Sequence, residues 1–125
     1  MVCAAKGCPE VRSEAYVGRK LVEQFEDQSR IFLADSNKNR FDYKNGKVYL
    51  SNIFRWYGED FAKDDVELLA VLQGYGPEEV QAQLRQHNLK AIGINCTQYD
   101  WSLNEMNNAS LSKKYHPLRP IKKRR

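Results

Sequence analysis

Apolar and polar side chains alternate with a helical period over residues 13–34. Tyr16, Leu21, Phe25, Ser29 and Phe32 recur at three- to five-residue steps, flanked by Val17, Val22 and Leu33. Lys20, Glu23, Glu26, Asp27 and Arg30 fill the other face, so the spacing predicts an amphipathic helix ending near Ala34, with Ser13 as its N-cap. Gly18 lies inside it, costs about 1 kcal/mol relative to Ala, and marks a candidate kink or break. Asp35–Asn39 reads as polar loop. Phe41-Asp42-Tyr43 and Val48-Tyr49-Leu50 then alternate around Asn45-Gly46, the sequence of a type I′ hairpin with positive φ at both central positions.

Beyond the hairpin, Ser51 is placed to cap a helix bearing Ile53, Phe54, Trp56, Tyr57 and Phe61. Asp64 or Asp65 starts another through Leu68, Leu69 and Leu72, stopped at Gly74 and Gly76. Pro77 at a first helical position, followed by Glu78 and Glu79, opens a third that runs to about Gln86. Leu89–Cys96 alternates as a strand, with Ile92, Ile94 and Cys96 on one face. At the other end of the chain, Val2-Cys3-Ala4-Ala5 reads as the end of a buried strand, turned by Gly7 and Pro9. Residues 105–125 are polar and basic and are expected to be a flexible tail.

Composition changes this picture little. At 125 residues, 42% hydrophobic and 29% charged, the chain suits one globular core and is too short for two ordinary domains. No run approaches the ~20 apolar residues of a membrane span, and the first twenty residues lack the pattern of a signal peptide. An intracellular protein, cytoplasmic or nuclear, is expected. The net charge of +4 belongs to the tail: residues 113–125 hold seven of the twenty Lys and Arg, leaving thirteen basic against sixteen acidic residues elsewhere. The three cysteines are expected to be free thiols.

Several pieces of chemistry are candidates. Cys3 and Cys8 with His87 and His116 do not have zinc-site spacing, so neither a metal nor another cofactor is expected. Cys8, between Gly7 and Pro9 and ahead of a helical region, is a candidate nucleophile if the helix dipole, Lys6 or Arg12 stabilises its thiolate. A nucleophilic thiol also wants a histidine, and no obvious partner stands in the sequence. Asp60 and Asp100 sit among aromatics, where a carboxylate either has a raised pKa or, more commonly, accepts from a neighbouring donor. Lys122, Lys123, Arg124 and Arg125 form a basic cluster suited to nucleic acid, an anionic surface or nuclear import, although Tyr115 alone makes no stacking platform.

These motifs together resemble the family called domain of unknown function 547. Val2-Cys3-Ala4-Ala5-Lys6-Gly7-Cys8-Pro9 with Arg12 and Glu14-Ala15-Tyr16 is similar to its central signature. Phe32-Leu33, Val48–Ser51, Ile53-Phe54, Trp56-Tyr57, Asp60-Phe61 and Tyr99-Asp100-Trp101-Ser102-Leu103-Asn104 follow in the family's order, so the likeness spans residues 2–104. The resemblance implies a distant similarity to papain-like and transglutaminase-like thiol folds, with Cys8 or Cys3 as nucleophile and no assigned general activity. Family domains carry more upstream, including a histidine; Met1 here stands in the interior of the strand that leads to the first cysteine. Cys96 has no counterpart in the family pattern.

The expectation is an α+β fold: several helices on a small, mostly antiparallel sheet, residues 1–104 being the C-terminal portion of such a domain, with an open edge that favours self-association. The leading functional expectation is a non-catalytic domain acting through an unidentified protein partner or through its own copies. A thiol hydrolase or transferase using Cys8 is the alternative, and charge-driven nucleic-acid or anionic-surface binding by the tail is the second.

Overall fold

The computed structural model describes residues 3–105; the remainder, including Lys122–Arg125 and most of the segment expected to be a flexible tail, lies outside the described residues. The architecture is α+β. Among the described residues five helices, α1 (Leu21–Ala34), α2 (Ile53–Trp56), α3 (Gly58–Phe61), α4 (Asp65–Tyr75) and α5 (Glu78–Gln86), pack against three strands. The strands are β1 (Arg40–Asp42), β2 (Lys47–Leu50) and β3 (Gly93–Cys96), in the spatial order β1-β2-β3. β1 and β2 form the antiparallel hairpin, but β3 joins β2 in parallel register, Val48 opposite Ile94, so the sheet is mixed. The parallel pairing follows from the helices α2–α5 carrying the chain back across, as a parallel connection requires.

The first helix is shorter than its hydrophobic stripe. A 3-10 turn at Gly18–Lys20 precedes α1, and Ser13 is not its cap. The cause is Gln24, a buried side chain that accepts from the Val17 N–H and donates to the Ala15 carbonyl, both at 2.9 Å, holding Ala15–Val17 extended. The hairpin turn also differs from type I′. Tyr43–Asn45 makes a 3-10 turn, closed by Asp42 accepting from Asn45, and only Gly46 (φ 62°) is left-handed. The connection is four residues long, a 3-10 turn closed by Gly46, the position whose positive φ delivers the chain into β2. Other boundaries follow local chemistry. Asp64 caps α4 by accepting from Glu67 N–H at 2.8 Å, and Pro77 stands just before α5, one place outside the first helical position expected for it, with no side-chain capping bond.

The core joins Leu33 of α1, Val48 and Leu50 of β2, Phe54 of α2, Leu68, Leu69 and Leu72 of α4, Val80 and Leu84 of α5, and Ile92. Beside it lies a polar joint. Asn39 is 2% exposed; its amide N–H donates to Phe32 O at 2.8 Å and its Oδ1 accepts from Ser51 N–H at 3.0 Å. Lys38, 9% exposed, pairs with Asp35, and its carbonyl accepts from the Thr97 hydroxyl at 3.0 Å. Burial alone would raise Asp35, but the hydrogen bonds from Lys38 and Asn37 hold its carboxyl below the ordinary value. A segment read from sequence as plain loop is thus a buried clasp between α1, β2 and β3.

Replacing Asn39 leaves the buried Ser51 N–H without its partner and the Phe32 carbonyl with only the long bond from Asp35 N–H, at 3.4 Å. Asn39→Ala is expected to lower stability by about 2 kcal/mol, the cost of one unsatisfied group and one weakened one. Urea unfolding checks this, and a loss below about 0.5 kcal/mol, the range of ordinary surface substitutions, overturns it.

Candidate functional site

The segment expected to be a strand near the start of the chain is held by the closing motif instead of by the sheet. Lys6 N–H donates to Ser102 O and Gly7 N–H to Asp100 O, both at 2.9 Å, while Asn104 N–H donates to Ala4 O at 2.6 Å. Ala5 and Leu103 form an isolated antiparallel bridge. Gly7 permits this approach, because a Cβ there would lie 2.9 Å from the Tyr99 ring and 3.0 Å from the Asp100 nitrogen. Two motifs more than ninety residues apart in the chain therefore form one short ribbon.

On one side of this ribbon is an apolar groove of about 670 Å³. Cys3, Cys8, Pro9, Trp56, Tyr57, Asp60, Phe61, Tyr99 and Trp101 all line it, with Phe54, Leu72 and Tyr75 among the deeper walls. Trp56, Tyr99 and Trp101 form a tilted triangle, with centroids 5.0, 5.6 and 4.6 Å apart. Trp101 is 70% exposed and Trp56 47%, so this is an open aromatic face. Asp60 is exposed at its rim. The break between α2 and α3 at Tyr57 turns Trp56 and Phe61 toward the same groove, where a continuous helix had been expected.

Other motif residues lie elsewhere. Lys6, Asp100 and Asn104 line a polar cleft of about 500 Å³ on the other side, together with Asp35, Lys38 and Thr97. Asp100 accepts from Ser102 N–H at 2.9 Å and from its hydroxyl at 2.6 Å, and these bonds hold its carboxyl below the ordinary range. Tyr16 packs on Phe25, 5.2 Å away, outside both cavities. Arg12 is paired with Glu14 and Asp27, and helical structure begins only at Gly18, so neither a helix end nor Arg12 serves Cys8. His87 faces Tyr43 beyond the end of α5, His116 lies outside the described residues, and no cluster of metal-ligating side chains occurs among the described residues.

The two thiols divide their properties in an order that sequence alone did not reveal. Cys8 is buried, 8% exposed, and its Sγ accepts from the Cys3 N–H at 3.0 Å. Burial first, then its interaction with the Cys3 thiol, push the Cys8 thiol up. Cys3 is exposed; hydrogen bonding with Cys8, with the backbone at Ala5 and with the Tyr99 hydroxyl, 3.7 Å away, lowers it. Burial and contact with the same two sulfurs raise Tyr99 well above the ordinary phenol value. The more acidic and more accessible sulfur is therefore Cys3, and Cys8 is the protected one. The spacing of the two cysteines was visible in the sequence; the fold of Tyr99 onto them was not, because it depends on the ribbon. Cys96, at the end of β3, is exposed on its own. No family model, curated protein or solved structure matches this chain.

A lowered thiol forms thiolate at lower pH, and a raised one at higher pH. In iodoacetamide alkylation of the native chain across a pH series, Cys3 is expected to react first and Cys8 last, read by peptide mass spectrometry. In Gly7→Ala the new Cβ displaces Tyr99, and the Cys3 profile is expected to move to higher pH. Cys8 reacting ahead of Cys3 overturns this assignment.

Proposed function

We propose that this chain, a relative of the domain of unknown function 547 family, is non-catalytic as it stands and acts through protein contacts made by its aromatic groove, with a second copy of itself as occupant. The observation that carries the reading is the open aromatic face. Trp56 and Trp101, both of the chain's tryptophans, stand in it exposed, beside Tyr57 and Phe61. Tryptophan and tyrosine in an apolar depression are the residues that most often dominate protein contacts. Asp60 is the one charged residue in the lining, so two such faces meet with little like-charge repulsion, as a two-fold symmetric pair requires. Among the described residues β1 and β3 are the outer strands of the sheet, each with one edge on which no further strand pairs. A thiol hydrolase or transferase step, which wants a histidine base, is disfavoured by the position of His87, which stands against Tyr43 and not beside either sulfur.

Both tryptophans report on the groove directly. Sedimentation over a wide concentration range is expected to show a monomer–dimer equilibrium, with tryptophan emission shifting to the blue as dimer forms. Trp101→Ala is expected to weaken association by about tenfold or more, the effect of losing a contact worth 1.4 kcal/mol. A chain that stays monomeric throughout, or a dimer indifferent to Trp101→Ala with unshifted emission, overturns the proposal.

A further inference from the structure

The mouth of the groove holds a pair of sulfurs with unequal access. Cys3 is exposed and Cys8 is buried, yet both line the same cavity, and the Cys3 N–H donates to Cys8 Sγ at 3.0 Å. The short segment between them is tightly turned, Cys8 N–H donating to Ala5 O at 3.1 Å, and it is anchored from outside through Lys6, Gly7 and Asn104. Tyr99 places its hydroxyl 3.7 Å from Cys3 Sγ. An exposed sulfur with a phenol beside it and a second, protected thiol in contact is the arrangement found where an attacking cysteine is followed by a resolving one.

We propose that Cys3 and Cys8 are a peroxide-oxidisable thiol pair, Cys3 attacking and Cys8 resolving. The Cys3 thiolate attacks one oxygen of hydrogen peroxide, forming an S–O bond as the O–O bond breaks. The departing hydroxide takes a proton and leaves as water, and Cys3 becomes a sulfenic acid. The Cys8 sulfur then gives up its proton and attacks Cys3 Sγ, forming the S–S bond and expelling the sulfenic hydroxyl as a second water. Two thiols lose two electrons and two protons in all, and the peroxide takes up both; an external dithiol reverses the change. The lowered Cys3 thiol supports the direction of attack, as does the burial that keeps Cys8 from meeting peroxide first. None of this requires the groove to be occupied.

The test uses the full chain, dilute and reduced, treated with stoichiometric hydrogen peroxide and read by intact and peptide mass spectrometry. The expected product has lost two hydrogens and contains a Cys3–Cys8 linkage, with Cys96 still reduced. Cys8→Ser is expected to stop at a Cys3 sulfenic acid that dimedone captures, and Cys3→Ser to lose disulfide formation altogether. In the unmodified chain Cys3 should also be consumed faster than Cys96, a comparison that stands even if a variant fails to fold. Equal oxidation of Cys3 and Cys96, linkages that include Cys96, or oxidation with no Cys3–Cys8 bond overturns the proposal. Dimerisation through the groove is measured separately, so either reading can fail alone.

Discussion

A buried amide makes the rest of the arrangement possible. Asn39 joins the last turn of α1, through Phe32 O, to the end of β2, through Ser51 N–H. Next to it, the Lys38 carbonyl receives the Thr97 hydroxyl, which also donates to Leu50 O at 3.3 Å. Thr97 N–H donates to Leu50 O as well, at 2.7 Å. The chain leaving β3 is therefore delivered at a fixed place, and residues 99–104 run on from there to meet Ala4–Gly7. The groove and its thiols are built at the end of that sequence of contacts. Polar groups this deep are specific because each unmet bond is costly, whereas apolar packing tolerates small shifts.

The two sides of the ribbon show how different side chains use a shared backbone. On one side Lys6, Asp100 and Asn104 meet a polar cleft, where Lys38 pairs with Asp35 and Asp100 accepts from Ser102. On the other, the aromatic rings meet each other and solvent. Successive side chains on an extended segment point to opposite faces, and this alternation over Tyr99–Trp101 puts both aromatics in the groove and Asp100 in the cleft.

Much of the fold was legible wherever one chemical cue controlled a position. The end of α1 at Ala34, the hairpin strands, the cap at Asp64 and the stop at Gly76 follow from periodicity or a single side chain. What escaped was set by distant partners. Gln24 unwinds the start of α1 by bonding to Val17 and Ala15, and nothing in its local spacing distinguishes it from other helical glutamines. Lys38 and Asn39 look like ordinary loop residues, since burial is not written in a polar side chain. The sheet's mixed character depended on where the helices returned the chain. Within the candidate site, the aromatic and cysteine motifs were visible as separate runs. Their meeting came from the ribbon, and the exchange of roles between Cys3 and Cys8 came from the burial of Cys8 and its contact with Cys3.

The parallel ladder between β2 and β3 has a kinetic side. Lys47 must find Gly93 and Leu50 must find Cys96 across four intervening helices, whereas β1 and β2 are joined by a tight turn. Hairpins close in about microseconds, but a ladder of such large sequence separation must first lose the entropy of a long loop. Val48 and Leu50, fully buried in the finished protein, therefore sit on an uncovered hairpin face until the helices between them and β3 have condensed. The step that admits β3 therefore closes a far longer loop than the hairpin turn does, and it completes the sheet beside Val48 and Leu50.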